Sequence, residues 1–305
     1  MREELYKQKR WSSRNKTLYM EVGEEKIYVP KALPGSNIEP GIYFGEGLVA
    51  LKRLEEESIQ LIFADPPYYG KQKAFGRSVP NVWEDYSSWT LAWLKEAYRV
   101  LKNTGSIYVC CDWTYSGKIQ DILEEAGFTI INRITWKRDK GRGAAKNWKN
   151  NMEDIWFAVK DENEYYFNVE SVKIKKKVIA PYRDSTGKPK DWVEEDGNRY
   201  RLTSPPNIWI DITVPFWSMA ENTPHPTQKP EKLVDRCLRP VLQPGDIVVD
   251  PFLGSGTTAI VADRIGAKCI GVELDPDYVS LAMKRWDLRH EIAAKSNLDY
   301  NMEID

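Results

Sequence analysis

Two stretches of this chain have residue types and spacing that can do chemistry. The first is Asp65-Pro66-Pro67-Tyr68, which follows the apolar run Ser58 to Ala64. Its paired prolines lock a turn whose ring nitrogens carry no hydrogen. The turn therefore presents acceptors: the Asp65 carboxylate and the backbone carbonyls. An exocyclic amino group, which donates two hydrogens, suits such a corner, and Tyr68 beside it can stack on a planar ring. Read alone, the same residues also fit a proline-rich turn with a helix-capping aspartate.

The second stretch is Asp250-Pro251-Phe252-Leu253-Gly254-Ser255-Gly256-Thr257-Thr258-Ala259. It follows a short apolar run and opens a helical pattern. Gly254, Gly256 and Ala259 satisfy the spacing that lets a backbone approach a dinucleotide and aims helix N–H groups at it. No Lys-Ser/Thr pair follows the glycines, so it is not a P-loop. Glu273 ends the next apolar run, where a carboxylate can accept both hydroxyls of a ribose. Such charge-assisted bonding contributes roughly 1.5–3 kcal/mol. Asp275 is already placed to cap a helix at Pro276, which leaves Glu273 for another task. A nucleoside cofactor follows; nicotinamide dinucleotide and S-adenosylmethionine both fit this loop.

Other chemistries are poorly supplied. Two histidines, His225 and His290, and four cysteines with no C-x-x-C spacing argue against a metal site or an imidazole-based triad. Cys110 and Cys111 are adjacent, so on a strand they point to opposite faces, and all four cysteines read as buried thiols. With 42% hydrophobic and 12% aromatic residues the chain is folded rather than disordered. No apolar run reaches the roughly 20 residues of a membrane helix, and the charged N-terminus has no apolar leader segment. A cytoplasmic protein without membrane contact is expected. The net charge of −1 is neutral as a partner signal. Between Arg133 and Lys190, however, basic residues exceed acidic ones by about seven, the footprint of a phosphate-binding face or of Lys-rich surface loops. Within that band Lys137, Arg138, Lys140, Arg142 and Lys146 mix with glycines, which suits a phosphate clamp. Trp148, Trp192, Trp209 and Trp217 are expected mostly in the core.

The elements that must position these motifs alternate. Strand patterns at 42–44, 58–64, 106–111, 129–136, 246–250 and 269–273 are separated by helical patterns at 48–54, 89–101, 119–126, 230–241, 257–265 and 276–288. This predicts an α/β fold, a doubly wound, mostly parallel sheet with helices on both faces. Periodicity weakens from about 137 to 224. The chain divides into an N-terminal extension (1–40), a first half of the main domain (41–159), an inserted region (160–224), a second half (225–295) and a tail (296–305).

Taken together, the motifs resemble the amino-methylating DNA methyltransferases that use S-adenosylmethionine. Asp65 to Tyr68 matches their catalytic motif, and Phe252-Leu253-Gly254-Ser255-Gly256 their cofactor motif. His225-Pro226-Thr227-Gln228-Lys229-Pro230 resembles the motif upstream of the cofactor strand. Tyr43 to Leu48 resembles the segment upstream of the catalytic motif, with Glu46 where the family usually has Asp. The order, catalytic motif before cofactor motif, resembles the beta group. The resemblance implies a Rossmann-like fold and methylation of the N6 amino group of an adenine flipped from double-stranded DNA. It assigns catalysis to Asp65, Pro66, Pro67 and Tyr68. It assigns cofactor binding to Asp250, Phe252, Gly254, Ser255, Gly256, Thr257, Glu273, Thr227 and Lys229, although Lys229 equally fits a surface position. Residues 160–224 become the target-recognition region. A homodimer and a cognate restriction endonuclease are partners the family allows. Cytosine-N4 methylation and a catalytically silent DNA-binding subunit are the alternatives.

Overall fold

The computed structural model describes residues 5–6, 14–70, 82–138, 145–178, 182–195, 197–295 and 303–304. Twelve strands are seen among them. They are β1 (Gly41–Phe44), β2 (Ile59–Ala64), β3 (Leu101–Cys111), β4 (Thr129–Lys137), β5 (Met152–Val159), β6 (Ile174–Lys177), β7 (Val193–Glu195), β8 (Asn198–Thr203), β9 (Ile208–Trp209), β10 (Ile247–Asp250), β11 (Lys268–Glu273) and β12 (Glu303–Ile304). The main helices are α1 (Gly47–Arg53), α2 (Trp83–Val100), α3 (Ser116–Glu125), α4 (Glu231–Leu238), α5 (Thr257–Arg264), α6 (Pro276–Asp287) and α7 (Arg289–Lys295).

Eight strands form one sheet in the order β1-β11-β10-β2-β3-β5-β4-β9. Its paired neighbours run parallel except at β5, which is antiparallel to both β3 and β4. All six residues of β2 are buried, as a central strand with both faces covered requires. Alternate residues feed two cores. Ile62, Ala64, Ile107, Val109 and Cys111 pack under α1, α2 and α3. Leu61, Phe63, Tyr108 and Cys110 pack under α4 and α5. The doubly wound reading holds, and the two adjacent cysteines do point to opposite faces. All four cysteines are buried and free.

The sequence pattern missed β5. After Met152 it carries the acidic pair Glu153-Asp154, and seven of its eight residues are buried. The strand antiparallel to its neighbours brings its first residues to the edge where the parallel strands end. Strands β6, β7 and β8, joined by β12 from the far end of the chain, build the small sheet β12-β6-β8-β7. On it, Arg183 and Arg199 lie over the Trp192 ring at 5.2 and 5.3 Å, and Lys175 lies 4.6 Å from the Tyr200 ring centre. The inserted region is not wholly separate: β9 pairs with β4, and the Trp136 indole donates to the Ile212 carbonyl at 2.8 Å. Of the four tryptophans expected mostly in the core, Trp192 and Trp209 are buried, whereas Trp148 and Trp217 are exposed.

The N-terminal stretch is more than an arm. Leu5 and Met20 are buried against Tyr278 and Leu281 of α6. The Lys284 ammonium donates to the Tyr19 carbonyl and pairs with Glu24. No helix among the described residues is long and apolar enough to cross a membrane.

Candidate active site

Four adjacent parallel strands end side by side, and each delivers an acidic residue at or just past its carboxyl end. The chain leaves β1 into Glu46, β11 ends on Glu273, β10 ends on Asp250, and β2 runs into Asp65. Open α/β sheets place ligands at this edge. All four residues line a single cavity of about 640 Å³, together with Pro66, Pro67, Tyr68, Phe252 and Gly254. The volume lies in the range of ligand sites.

At one end of the cavity the proline corner is held rigidly. Tyr68 Oη donates to Asp65 Oδ1 at 2.9 Å, and Tyr86 Oη donates to the Pro67 carbonyl at 3.1 Å. The Lys229 ammonium lies 2.6 Å from Asp65 Oδ2, 3.3 Å from Tyr68 Oη and 3.5 Å from Glu153 Oε2. Arg138 in turn pairs with Glu153 Oε1. Cation and carboxylate thus alternate along Asp65, Lys229, Glu153 and Arg138. Burial by itself would push the Lys229 ammonium down, but Asp65 and Glu153 outweigh it and hold the group above the ordinary lysine value. Tyr68 is pushed up by burial and by the Asp65 charge, so its hydroxyl stays a donor.

The other end is built from the glycine loop. Glu273 Oε2 accepts from the Gly254 amide at 3.0 Å and Oε1 from the Asp275 amide at 2.7 Å. Both bonds fix the carboxylate on the cavity wall. Asp275 also caps α6, accepting from the Asp277 amide at 3.0 Å. Asp250 accepts from Thr258 Oγ1 at 2.6 Å and from the Phe252 amide at 2.9 Å. Burial nevertheless pushes its carboxyl up to about 7. Phe252 packs edge-on to Trp89 and Trp93. Below the loop, Arg285 donates to Thr257 Oγ1 at 2.8 Å and pairs with Glu231 at 2.7 Å, with both charges buried.

A family model described as DNA methylase matches residues 59–284. The chain belongs to the DNA methylase family. Type II methyltransferase M.HpaI of Haemophilus parainfluenzae is 34% identical over 240 residues, covering 78% of this chain and 71% of that protein. DNA adenine methyltransferase YhdJ of Escherichia coli is 35% identical over 261 residues, covering 83% of this chain and 85% of that one. The fold is shared with two solved structures. PvuII DNA methyltransferase, described as cytosine-N4-specific, superposes with a TM-score of 0.61 at 22% identity, covering 89% of this chain and 96% of that one. The M1.HpyAVI–SAM complex does so at 0.53 and 24%, covering 80% and 98%.

Within this DNA methylase the predicted site residues mostly converge. Asp65, Pro66, Pro67, Tyr68, Thr227, Lys229, Asp250, Phe252, Gly254, Ser255, Thr257 and Glu273 all line the one cavity. Three expectations change. Lys229 is neither a surface residue nor only a cofactor contact, since it is buried against Asp65. Gly256, expected to admit the cofactor, has φ +85°, and a Cβ there would come within 3.0 Å of the Ala282 Cβ. That glycine lets α5 pack on α6. Arg138, expected on phosphates, instead pairs with Glu153 on the cavity wall. Lys137 and Lys146 are exposed, and Lys140 and Arg142 lie outside the described residues. Among the described residues no cluster of His, Cys, Asp and Glu is arranged to hold a metal ion.

Sequence reasoning did not find Glu153, Asp112 or Trp89, which also line the cavity. Glu46, which stands where the family usually has Asp, lies on that wall too. For Glu153 a signal existed: two carboxylates at the head of the apolar run Ile155 to Val159, a costly placement unless partners wait for them.

Proposed function

We propose that this protein transfers a methyl group from S-adenosylmethionine to the N6 amino group of an adenine flipped out of duplex DNA. The observation that carries the reading is the juxtaposition, in one cavity, of the Asp65 corner and the Glu273–glycine-loop wall. A base within a duplex cannot reach such a recess, so it must leave the stack. Adenine rather than cytosine is favoured by Asp at position 65 and by the 35% identity to a relative named a DNA adenine methyltransferase.

The residues present fit the cofactor. Glu273 is a buried acceptor, already oriented by two amides, for ribose hydroxyls. Phe252 and Leu253 give apolar walls, and the loop backbone at Gly254 lines the space between them. Bound there, S-adenosylmethionine supplies an electrophilic methyl group on sulfur. What remains is the work of the chain itself. The amino nitrogen of adenine is a poor nucleophile because its lone pair is delocalised into the ring. Asp65 and the Pro66 carbonyl accept hydrogen bonds from its two N–H groups and localise that lone pair. The Asp65 carboxylate then stabilises the positive charge that develops on nitrogen until one of the two amino protons leaves. Holding both reactants in one recess removes much of the entropic barrier. No covalent intermediate is needed, in keeping with four buried cysteines whose thiols burial pushes up.

The basic small sheet and the exposed Lys137 and Lys146 are candidates for backbone contacts, with residues 160–224 as the target-recognition region. Digestion of DNA exposed to the protein and labelled cofactor, followed by nucleoside analysis, tests the reading. N6-methyl-2′-deoxyadenosine as the product supports it; N4-methyl-2′-deoxycytidine, or no product with intact cofactor binding, sinks it.

A further inference from the structure

We propose that Glu153 is a positioning residue that takes over the Lys229 ammonium when the substrate amino group arrives at Asp65. The inference rests on the methyl-transfer reading above and adds a residue that none of the motifs contains.

In the structure both Asp65 oxygens are engaged, Oδ1 by Tyr68 at 2.9 Å and Oδ2 by Lys229 at 2.6 Å. An incoming amino hydrogen must compete for those oxygens with a buried ammonium, the stronger donor. The neighbouring carboxylate is built to relieve that competition. Glu153 is buried, and its Oε2 has no hydrogen-bond partner among the described residues. It sits 3.5 Å from the same ammonium, just outside bonding distance. The ion pair with Lys229 is long, so this buried acceptor has room for a closer donor. Oε1 is secured by Arg138, so Oε2 is held in place.

Lysine suits the transfer. Its ammonium is a point charge with three donors on a flexible stem, and a small swing moves it from one carboxylate to the other. Throughout the swing it remains paired, so no buried charge is stranded. Asp65 Oδ2 is released to accept the amino hydrogen, while Tyr68 keeps Oδ1 oriented. Glu153 touches neither substrate nor cofactor in this account and acts through Lys229. It can do so because β5 runs antiparallel and starts at the edge where β2 ends.

The test is single-turnover transfer of labelled methyl groups from S-adenosylmethionine to genomic DNA lacking the modification. Wild type, E153Q, K229Q and the double variant are compared, each checked for folding by circular dichroism. Binding of S-adenosylhomocysteine is measured in parallel. E153Q is expected to slow transfer about tenfold or more, with S-adenosylhomocysteine affinity unchanged within about twofold. K229Q retains measurable transfer because no ammonium competes for Asp65 Oδ2 in it, and adding E153Q changes its rate less than about twofold. If K229Q does not fold, K229M, which likewise removes the ammonium, replaces it in the cycle with the same expectation. Wild-type rate in E153Q overturns the proposal. So does an equal loss in both backgrounds, a parallel loss of cofactor-product affinity, or a folded Lys229 variant with no transfer. Failure of the wild type itself to methylate would sink the proposed function instead.

Discussion

The backbone carbonyl of Pro251 lies against the α-carbon of Gly47, so close that a Cβ at Gly47 would overlap it. Gly47 starts α1 after β1, and Pro251 follows β10, so this contact closes one wall of the cavity. Gly47→Ala must push the two loops apart. Overpacking of this kind costs about 1–3 kcal/mol. The variant is expected to unfold at lower urea concentration and to bind S-adenosylhomocysteine more weakly. Unchanged stability and affinity would show that the loops yield freely.

Asp250 links stability to pH. Its carboxyl is raised by burial from 3.8 to about 7 in the folded chain. The folded state therefore holds a proton that the unfolded state releases from about pH 4 upward. Stability from this group is present below pH 4, falls as pH rises to about 7, and is level above that. Glu221, raised to about 7 by burial and by the nearby Glu231, acts in the same direction. Asp250→Asn removes the Asp250 part. Relative to wild type the variant gains stability between pH 5 and 8, by an amount on the order of 1 kcal/mol or more. Thermal unfolding across that range checks it; a difference independent of pH contradicts the assignment.

Glu273 is set to act on binding rather than on chemistry. Its two oxygens are oriented by the Gly254 and Asp275 amides, and it faces the cavity at the glycine-loop end. Glu273→Gln keeps the shape and removes the charge. Loss of a charge-assisted bond predicts roughly 10- to 100-fold weaker S-adenosylhomocysteine binding. Transfer at saturating cofactor changes far less. Calorimetry and the saturation curve separate the two; an unchanged affinity with slow transfer would place Glu273 elsewhere in the reaction.

Much of this was legible in the sequence, for physical reasons that can be named. Strands β2, β10 and β11 are short apolar runs stopped by Asp-Pro or Glu-Leu-Asp-Pro, so both the strands and the acids at their ends could be read. Asp275 before Pro276 announced the cap of α6, and the structure has that bond. What was hidden depends on contacts between distant parts of the chain. Lys229 meets Asp65 across 164 residues, and no local pattern encodes that pairing. β5 was hidden because its leading acids mimic a loop; they are tolerated because Arg138 and Lys229 meet Glu153, and Arg133 and Thr135 meet Asp154. Gly256 followed a ligand-binding spacing yet serves helix packing, since the same small residue answers both needs.

The central claim is that Asp65 receives the amino group that is methylated. Asp65→Asn keeps the size of the side chain and removes its charge. The most direct measurement is single-turnover methyl transfer to DNA by this variant, alongside its affinity for S-adenosylhomocysteine. The account predicts transfer slowed about a hundredfold or more with cofactor-product affinity within about threefold of wild type. Transfer at the wild-type rate by a folded Asp65→Asn protein would contradict it.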